Sequence, residues 1–192
     1  MRESMKKVVA FMGSPRKNGN TAAIIAEMLK GAQSAGAETT LFSLIDMNIK
    51  PCMACYYCRK HEGCAIKDDM QAVYDAIKQA DAVIMGSPVY MFQVTGQMKM
   101  LMDRLYPLLN GENGIFDLRY GKKQTVTVYS QGADDSSYFQ EYFVYNQKIL
   151  DFLGLEAVDH VLCSGANDRN FAVSDTALMQ RAYAIGQKLA EE

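Results

Sequence analysis

The stretch VVAFMGSPRKNGNT, Val8 to Thr21, decides the fold. A short apolar strand, Val8 to Met12, breaks at Gly13 into a polar loop. Asn20 or Thr21 then opens a run with helical spacing, Ile24, Ile25, Met28, Leu29 and Ala32. The first amides of a helix point outward unpaired and carry the positive end of its dipole, so this strand-loop-helix unit is an anion site. Ser14, Asn18, Asn20 and Thr21 add short side-chain donors, and Gly13 and Gly19 let the backbone curl close to an anion. Gly19 is followed by Asn20 rather than the Lys of a triphosphate loop, and no GxGxxG fingerprint is present. A monophosphate ester fits better, the bland alternative being a turn rich in Gly, Ser and Asn.

Working outward, Gly36 closes the first helix and Thr39 to Ile45 reads as a second strand. After a cysteine-rich loop at 51–67, Asp68 or Asp69 caps a helix with Met70, Val73 and Ile77 on one face. Ala82 to Met85 is a short apolar strand ending at Gly86-Ser87-Pro88. Thr95 starts a helix with Met98, Leu101, Met102, Leu105 and Leu109 on one side, ending near Asn110-Gly111. Thr125 to Tyr129 is a fourth strand, and Tyr142 to Leu153 a fourth helix stopped by Gly154. Val158 to Cys163 is a fifth strand, and Leu178, Ala182, Ile185 and Leu189 mark the closing helix. Five strands alternating with five helices predict a parallel sheet covered on both faces, a three-layer α/β sandwich. In the order 2-1-3-4-5 the reversal falls between strands 1 and 3, and ligands lie beyond the carboxyl ends of the strands there. GSPRKNGNT and GSPVYMFQVTG would then face each other across one crevice.

With 192 residues, one domain spanning 1–192 is expected. A formal net charge of -2 implies neither a nucleic acid nor a membrane surface as partner. No apolar run approaches the ~20 residues that span a bilayer. MRESMKK does not resemble a signal peptide, so a cytoplasmic protein is expected.

The loop Gly86 to Gly96 places Pro88, Val89, Tyr90, Met91, Phe92 and Gln93 directly after a buried strand. Tyr90 and Phe92 are large flat groups against which a ring-shaped ligand could lie, or which could pack on a neighbouring subunit. Ser130, Gln131 and Gly132 follow strand 4 with a similar small, polar character. These three loops in order, from Val8 to about Gly132, resemble those of the flavodoxin-like NAD(P)H-dependent FMN reductases. The resemblance implies that Ser14, Arg16, Asn18, Gly19, Asn20 and Thr21 hold the phosphate and ribityl end of FMN. It implies that Pro88 to Gln93 and Ser130 to Gly132 line the flavin ring.

Four of the five cysteines are crowded into PCMACYYCRKHEGC. Cys52, Cys55, Cys58 and Cys64 are separated by two, two and five residues. One compact run matches how four thiolates tether an iron-sulfur cluster, whereas zinc sites usually join two distant pairs. The spacing resembles the cluster motif of the iron-sulfur flavoproteins, a branch of the same FMN fold, which implies a [4Fe-4S] site. Free thiols and zinc are the alternatives, and His61 lies within ligand reach in sequence. Cys163 reads as core. The implied protein is an FMN-dependent oxidoreductase passing electrons between NAD(P)H or a ferredoxin, FMN and the cluster, as a homodimer or homotetramer. A cluster-free FMN or quinone reductase and a non-enzymatic FMN electron carrier remain as alternatives.

Overall fold

A computed structural model of the chain describes residues 5–111 and 115–191. Five parallel strands form its main sheet: β1 (Lys7–Met12), β2 (Glu38–Ser43), β3 (Ala82–Tyr90), β4 (Lys123–Ser130) and β5 (Leu155–Cys163), in the order β2-β1-β3-β4-β5. The helices that return the chain between them are α1 (Asn20–Ser34), α2 (Met70–Gln79), α3 (Gly96–Asp103) and α4 (Gln140–Phe152), and α5 (Thr176–Glu191) follows the last strand. The expected flavodoxin-like α/β architecture is therefore the one observed.

Alternation along the strands sorts the core into two layers. Val8, Ala10 and Met12 point to the side covered by α1 and α5, where Ile24, Ile25, Met28 and Ile185 pack. Val9 and Phe11 point to the side covered by α2, α3 and α4, with Val73, Ile77, Leu101 and Leu150. On the first side two helices touch backbone to backbone. A Cβ on Gly186 would lie 1.8 Å from the Met28 carbonyl oxygen, and one on Gly31 2.0 Å from that of Tyr183. No other residue type fits there without moving a helix.

Several boundaries differ from the sequence reading, and four of them have a local reason. β2 ends at Ser43, and Leu44–Asp46 forms a 3-10 turn instead of continuing the strand to Ile45. The helix expected to run from Thr95 to Asn110 stops at Asp103. Pro107 cannot donate to the ladder, so the chain takes a 3-10 turn at Tyr106–Leu108, and Leu105 and Leu109 reach the core from non-helical backbone. Residues 109–110 then pair with 117–118 in a small antiparallel hairpin.

β5 begins three residues early because Val158 is an extra residue. Thr125 faces Ala157 while Val126 faces Asp159, so Val158 bulges outward and is 52% exposed. Finally, Gly86 to Tyr90, expected as loop, continues β3. Ser87 and Pro88 pair with Tyr129 and Ser130 of β4, and Gln93-Val94 folds back on Val89-Tyr90 as a hairpin.

Candidate functional site

At the carboxyl ends of β1, β3, β4 and β5, four loops meet around a cleft of about 240 Å³. Its wall carries Ser14, Arg16, Gly19, Asn20 and Thr21 from the first loop and Pro88, Val89 and Tyr90 from the second. Ser130, Gln131 and Gly132 come from the third. Eleven of the fifteen residues singled out in the sequence thus come together. Asn18, Met91, Phe92 and Gln93 lie off the wall. The wall also holds Ala166, Asn167 and Arg169, from the loop after β5, which the sequence reading passed over. Its signal was available: SGANDRN has the same small, polar composition as the other three and leaves the same edge of the sheet.

The cleft is built by loops bonded to themselves and to one another. The Arg16 N–H donates to Ser14 Oγ (3.1 Å), and the Gly19 N–H to the Arg16 carbonyl (3.2 Å), closing the first loop on itself. Thr95 caps α3 by accepting from the Met98 N–H and donates its own hydroxyl to the Gly13 carbonyl (2.7 Å), tying the first rim to the second. Thr21 Oγ1 and Ser130 Oγ lie 2.7 Å apart, joining the first rim to the third. The buried Asn20 amide donates to the Asp168 carbonyl (2.7 Å), and its oxygen accepts from the Ala172 N–H (2.9 Å). This side chain was expected as an anion donor, and it anchors the fourth loop instead.

Two features of the cleft are unfinished. Helix α1 starts after Gly19 with no side chain capping it, and its first internal bond is from the Ala23 N–H to the Gly19 carbonyl, so the amides before Ala23 face the cleft entrance without helical partners. Gln131 is 1% exposed. Its Nε2 donates to the Ala133 and Asp135 carbonyls, whereas its Oε1 is buried with no donor. Positive charge comes from Arg16 and Arg169. Lys17 is drawn off to Asp46, 2.8 Å away.

The second cavity, about 310 Å³, is lined by all four clustered cysteines, Cys52, Cys55, Cys58 and Cys64, with Met53, Tyr56, Arg59, Ile66, Arg104, Tyr106 and Pro107. Among the described residues no three His, Cys, Asp or Glu side chains form a cage for a single metal ion. The thiols are spread round a wall rather than converged on a point. Burial pushes the Cys58 thiol up, and the nearby thiols of Cys64, Cys52 and Cys55 push it the same way. His61 is turned away, stacked on Tyr57 with ring centres 4.0 Å apart. Cys163 is 2% exposed in the core, its thiol pushed up to about 11 by burial.

Two arginines outside the cysteine loop hold it in shape. Arg104 and Asp68 form an ion pair with both side chains 1% exposed, Nη1 donating to Oδ2 (2.8 Å) and Nη2 to Oδ1 (3.0 Å). Nη1 also reaches the Lys50 carbonyl at 2.6 Å. Arg119 donates to the carbonyls of Pro107, Cys58 and His61 at 3.1, 3.1 and 3.3 Å. Neither was picked out by sequence.

Backbone strain falls in the same places. The non-glycine residues with positive φ among the described residues are Ala54 and Tyr56, on either side of Cys55, and Met91 and Phe92, the turn of the β3 hairpin. The hairpin is held on α4 by the Val94 N–H donating to Tyr142 Oη (2.9 Å).

The model of the family described as NADPH-dependent FMN reductase matches residues 6–133, which contain the first three loops of the cleft and the whole cysteine loop. The chain belongs to this family. The chain is 43% identical over 105 residues to an iron-sulfur flavoprotein of Methanocaldococcus jannaschii, covering 55% of this chain and 54% of that one. It is 31% identical over 188 residues to an iron-sulfur flavoprotein of Methanosarcina thermophila, covering 96% of this chain and 94% of that one. The chain thus spans about half the length of the first of these and nearly all of the second. An NAD(P)H:quinone oxidoreductase from Methanothermobacter marburgensis shares the fold, with a TM-score of 0.76 at 15% identity over 97% of this chain and 100% of that one. No described helix is long and apolar enough to cross a membrane.

Proposed function

We propose that this chain is an FMN-dependent oxidoreductase that moves electrons between NAD(P)H or a ferredoxin, FMN in the four-loop cleft, and a [4Fe-4S] cluster on Cys52, Cys55, Cys58 and Cys64. The observation that carries the flavin is the pair of unfinished features in one cleft. A phosphate ester is met by the amides at the start of α1 and by the guanidinium groups of Arg16 and Arg169. The Gln131 Oε1, buried and without a donor, suits the ribityl hydroxyls or the single N–H of an isoalloxazine ring. Pro88, Val89 and Tyr90 give that ring an apolar wall.

The cluster is supported by the donor set. Four thiols and no carboxylate of the cysteine loop share one mostly apolar cavity, and their spread suits a polynuclear group better than one ion. Relatives named iron-sulfur flavoproteins support the same reading. FMN held there would supply hydride and single-electron chemistry, and a cluster on the four cysteines would supply one-electron transfer beside it. The chain's own task is to hold the phosphate, wall off the ring with Tyr90 and the β3 hairpin, and fix the thiols through Arg104 and Arg119. The exposed Tyr90, Met91, Phe92 and Tyr138 beside the cleft support a homo-oligomer.

Anaerobic purification tests both cofactors at once. One FMN, four irons and four acid-labile sulfides per chain, with NAD(P)H oxidation by the holo-protein, are expected. Colourless protein that takes up no added FMN would end the flavin reading. FMN without iron after reconstitution would reduce the proposal to a cluster-free flavin reductase, and failure to oxidise NAD(P)H would reduce it to an electron carrier fed by ferredoxin.

A further inference from the structure

Two arginines on the wall of the cysteine cavity each carry one N–H that nothing in the protein accepts. Arg104 is 1% exposed, and its Nη1 and Nη2 are taken up by Asp68 and the carbonyls of Lys50 and Ile66, yet its Nε is buried without a partner. Arg59 donates from Nη2 to Tyr106 Oη (3.2 Å) and lies over the Tyr56 ring, 4.1 Å from its centre, and its Nε is also buried and unpartnered. A guanidinium cannot discard its charge to escape this, since its pKa lies above ~12. Buried donors are almost always satisfied, and charged ones most of all. Two orphans of the same kind on one wall indicate an acceptor that the polypeptide does not supply.

The cavity narrows what that acceptor is. Its lining is four thiols, apolar side chains and the rings of Tyr56 and Tyr106. The one carboxylate on the wall, Asp103, is half-exposed and pairs with Lys99. The missing partner is therefore an anion with soft acceptor atoms, held by the thiols themselves.

We propose that the Nε–H groups of Arg104 and Arg59 are hydrogen-bond donors to sulfur atoms of the cluster on Cys52, Cys55, Cys58 and Cys64, and that they raise its reduction potential. This rests on the cluster assignment above. Four thiolates and the sulfides between the irons make the cluster anionic, and each added electron deepens that charge. Fixed cationic donors against sulfur favour the reduced form more than the oxidised one. The same geometry explains why the cation at position 104 is arginine: one end is committed to Asp68 through Nη1 and Nη2, which leaves Nε for the cavity. A lysine offers a single donor head and cannot serve both.

The experiment uses the anaerobically purified full chain and begins with iron and sulfide counts. No iron or sulfide after reconstitution overturns the cluster assignment beneath this proposal. With four irons bound, the proposal is tested alone. Pulsed EPR of the reduced cluster in protein grown on arginine labelled with 15N at Nε should show 15N coupling to the cluster. Arg104→Lys and Arg59→Lys should each remove part of that coupling. In an EPR-monitored titration each should also lower the reduction equilibrium about tenfold, a shift of about 59 mV for one electron. Both substitutions keep the positive charge, so a merely structural role would change iron content without moving the potential of the clusters that do form. An iron-loaded wild type without 15N coupling overturns the proposal whether or not either variant folds. Variants with full iron and the wild-type potential overturn it as well.

Discussion

The two cavities are built by opposite means. The polar cleft is a product of the backbone: four loops leave adjacent parallel strands, and their rims are stitched by Thr95 to Gly13, Thr21 to Ser130 and Asn20 to the segment around Asp168. The cysteine cavity is formed by one long loop with little secondary structure of its own, held from outside by arginine side chains that start in other parts of the chain. Damage to the cleft should therefore weaken one ligand, whereas damage to the arginines should reach the fold or the loop before it reaches any flavin.

The largest effect that separates them lies at the buried ion pair. Burial works against the Asp68 carboxylate, but the Arg104 hydrogen bonds and the amides of Lys50 and Met70 outweigh it and hold the group below its usual range. Arg104→Met strands that charge and should cost about 3–5 kcal/mol, read as a lower urea midpoint. Adding Asp68→Asn should recover most of the loss; a double variant as unstable as the single one would show that the charge is not the cause. Because the folded carboxyl is depressed, its stabilisation is present above the unfolded value of about 3.9 and is lost as the pH falls through the folded one. The wild type should lose this component in acid, and the double variant should lack it.

Next comes Arg119→Met. Its guanidinium satisfies the carbonyls of Cys58, within the short helix Tyr57–Lys60, and of His61, its C-cap, and losing it should cost about 1–3 kcal/mol locally. Hydrogen exchange at the Arg59 and His61 amides, which close that turn, should speed up while FMN affinity stays within about twofold. Equal weakening of FMN would mean that the cleft and the cysteine loop form one structural unit. Thr21→Val is the converse probe. It removes one hydroxyl bond to Ser130 on the cleft wall and should weaken FMN by about 0.5–1.5 kcal/mol, or about 2- to 10-fold, in a fluorescence titration. Ser130→Ala should match it, and the double variant should be little worse than either, because both remove the same bond.

The backbone-built half of this contrast was the legible half. The alternation of strands and helices could be read because apolar periodicity marks each one, and the order 2-1-3-4-5 adopted for such a sheet then placed three of the four cleft loops on one edge. Pro88 concealed the end of β3, since proline ordinarily breaks a strand. Here β1 stops pairing at Gly86, so beyond that residue one side of β3 is an edge where a missing N–H costs nothing. Val158 looked like the start of β5, which begins at Leu155, because a bulge is invisible to alternation. The side-chain half was hidden for a different reason. Arg104 pairs with the Asp68 carboxylate 36 residues away, and Arg119 acts 61 residues from Cys58, on a carbonyl group of the kind every residue possesses. No local spacing marks such a contact.

The smallest effect probes the strained turn beside the cleft. Met91 and Phe92, with φ of 44° and 66°, form a two-residue hairpin turn of the kind that ordinarily uses Asn-Gly. Holding a side chain there costs about 1–2 kcal/mol, and glycine gives back about 0.5–1 in lost chain freedom, so Met91→Gly should stabilise the protein by about 0.5 kcal/mol. The Met91 side chain is 90% exposed and off the cleft wall, so no packing within the chain is sacrificed. If thermal unfolding shifts upward and FMN affinity is unchanged, the strain is a by-product of turning the chain beside the ring. Should affinity fall while stability rises, the left-handed turn is what presses Tyr90 against the ligand, and the hairpin belongs to the binding machinery after all.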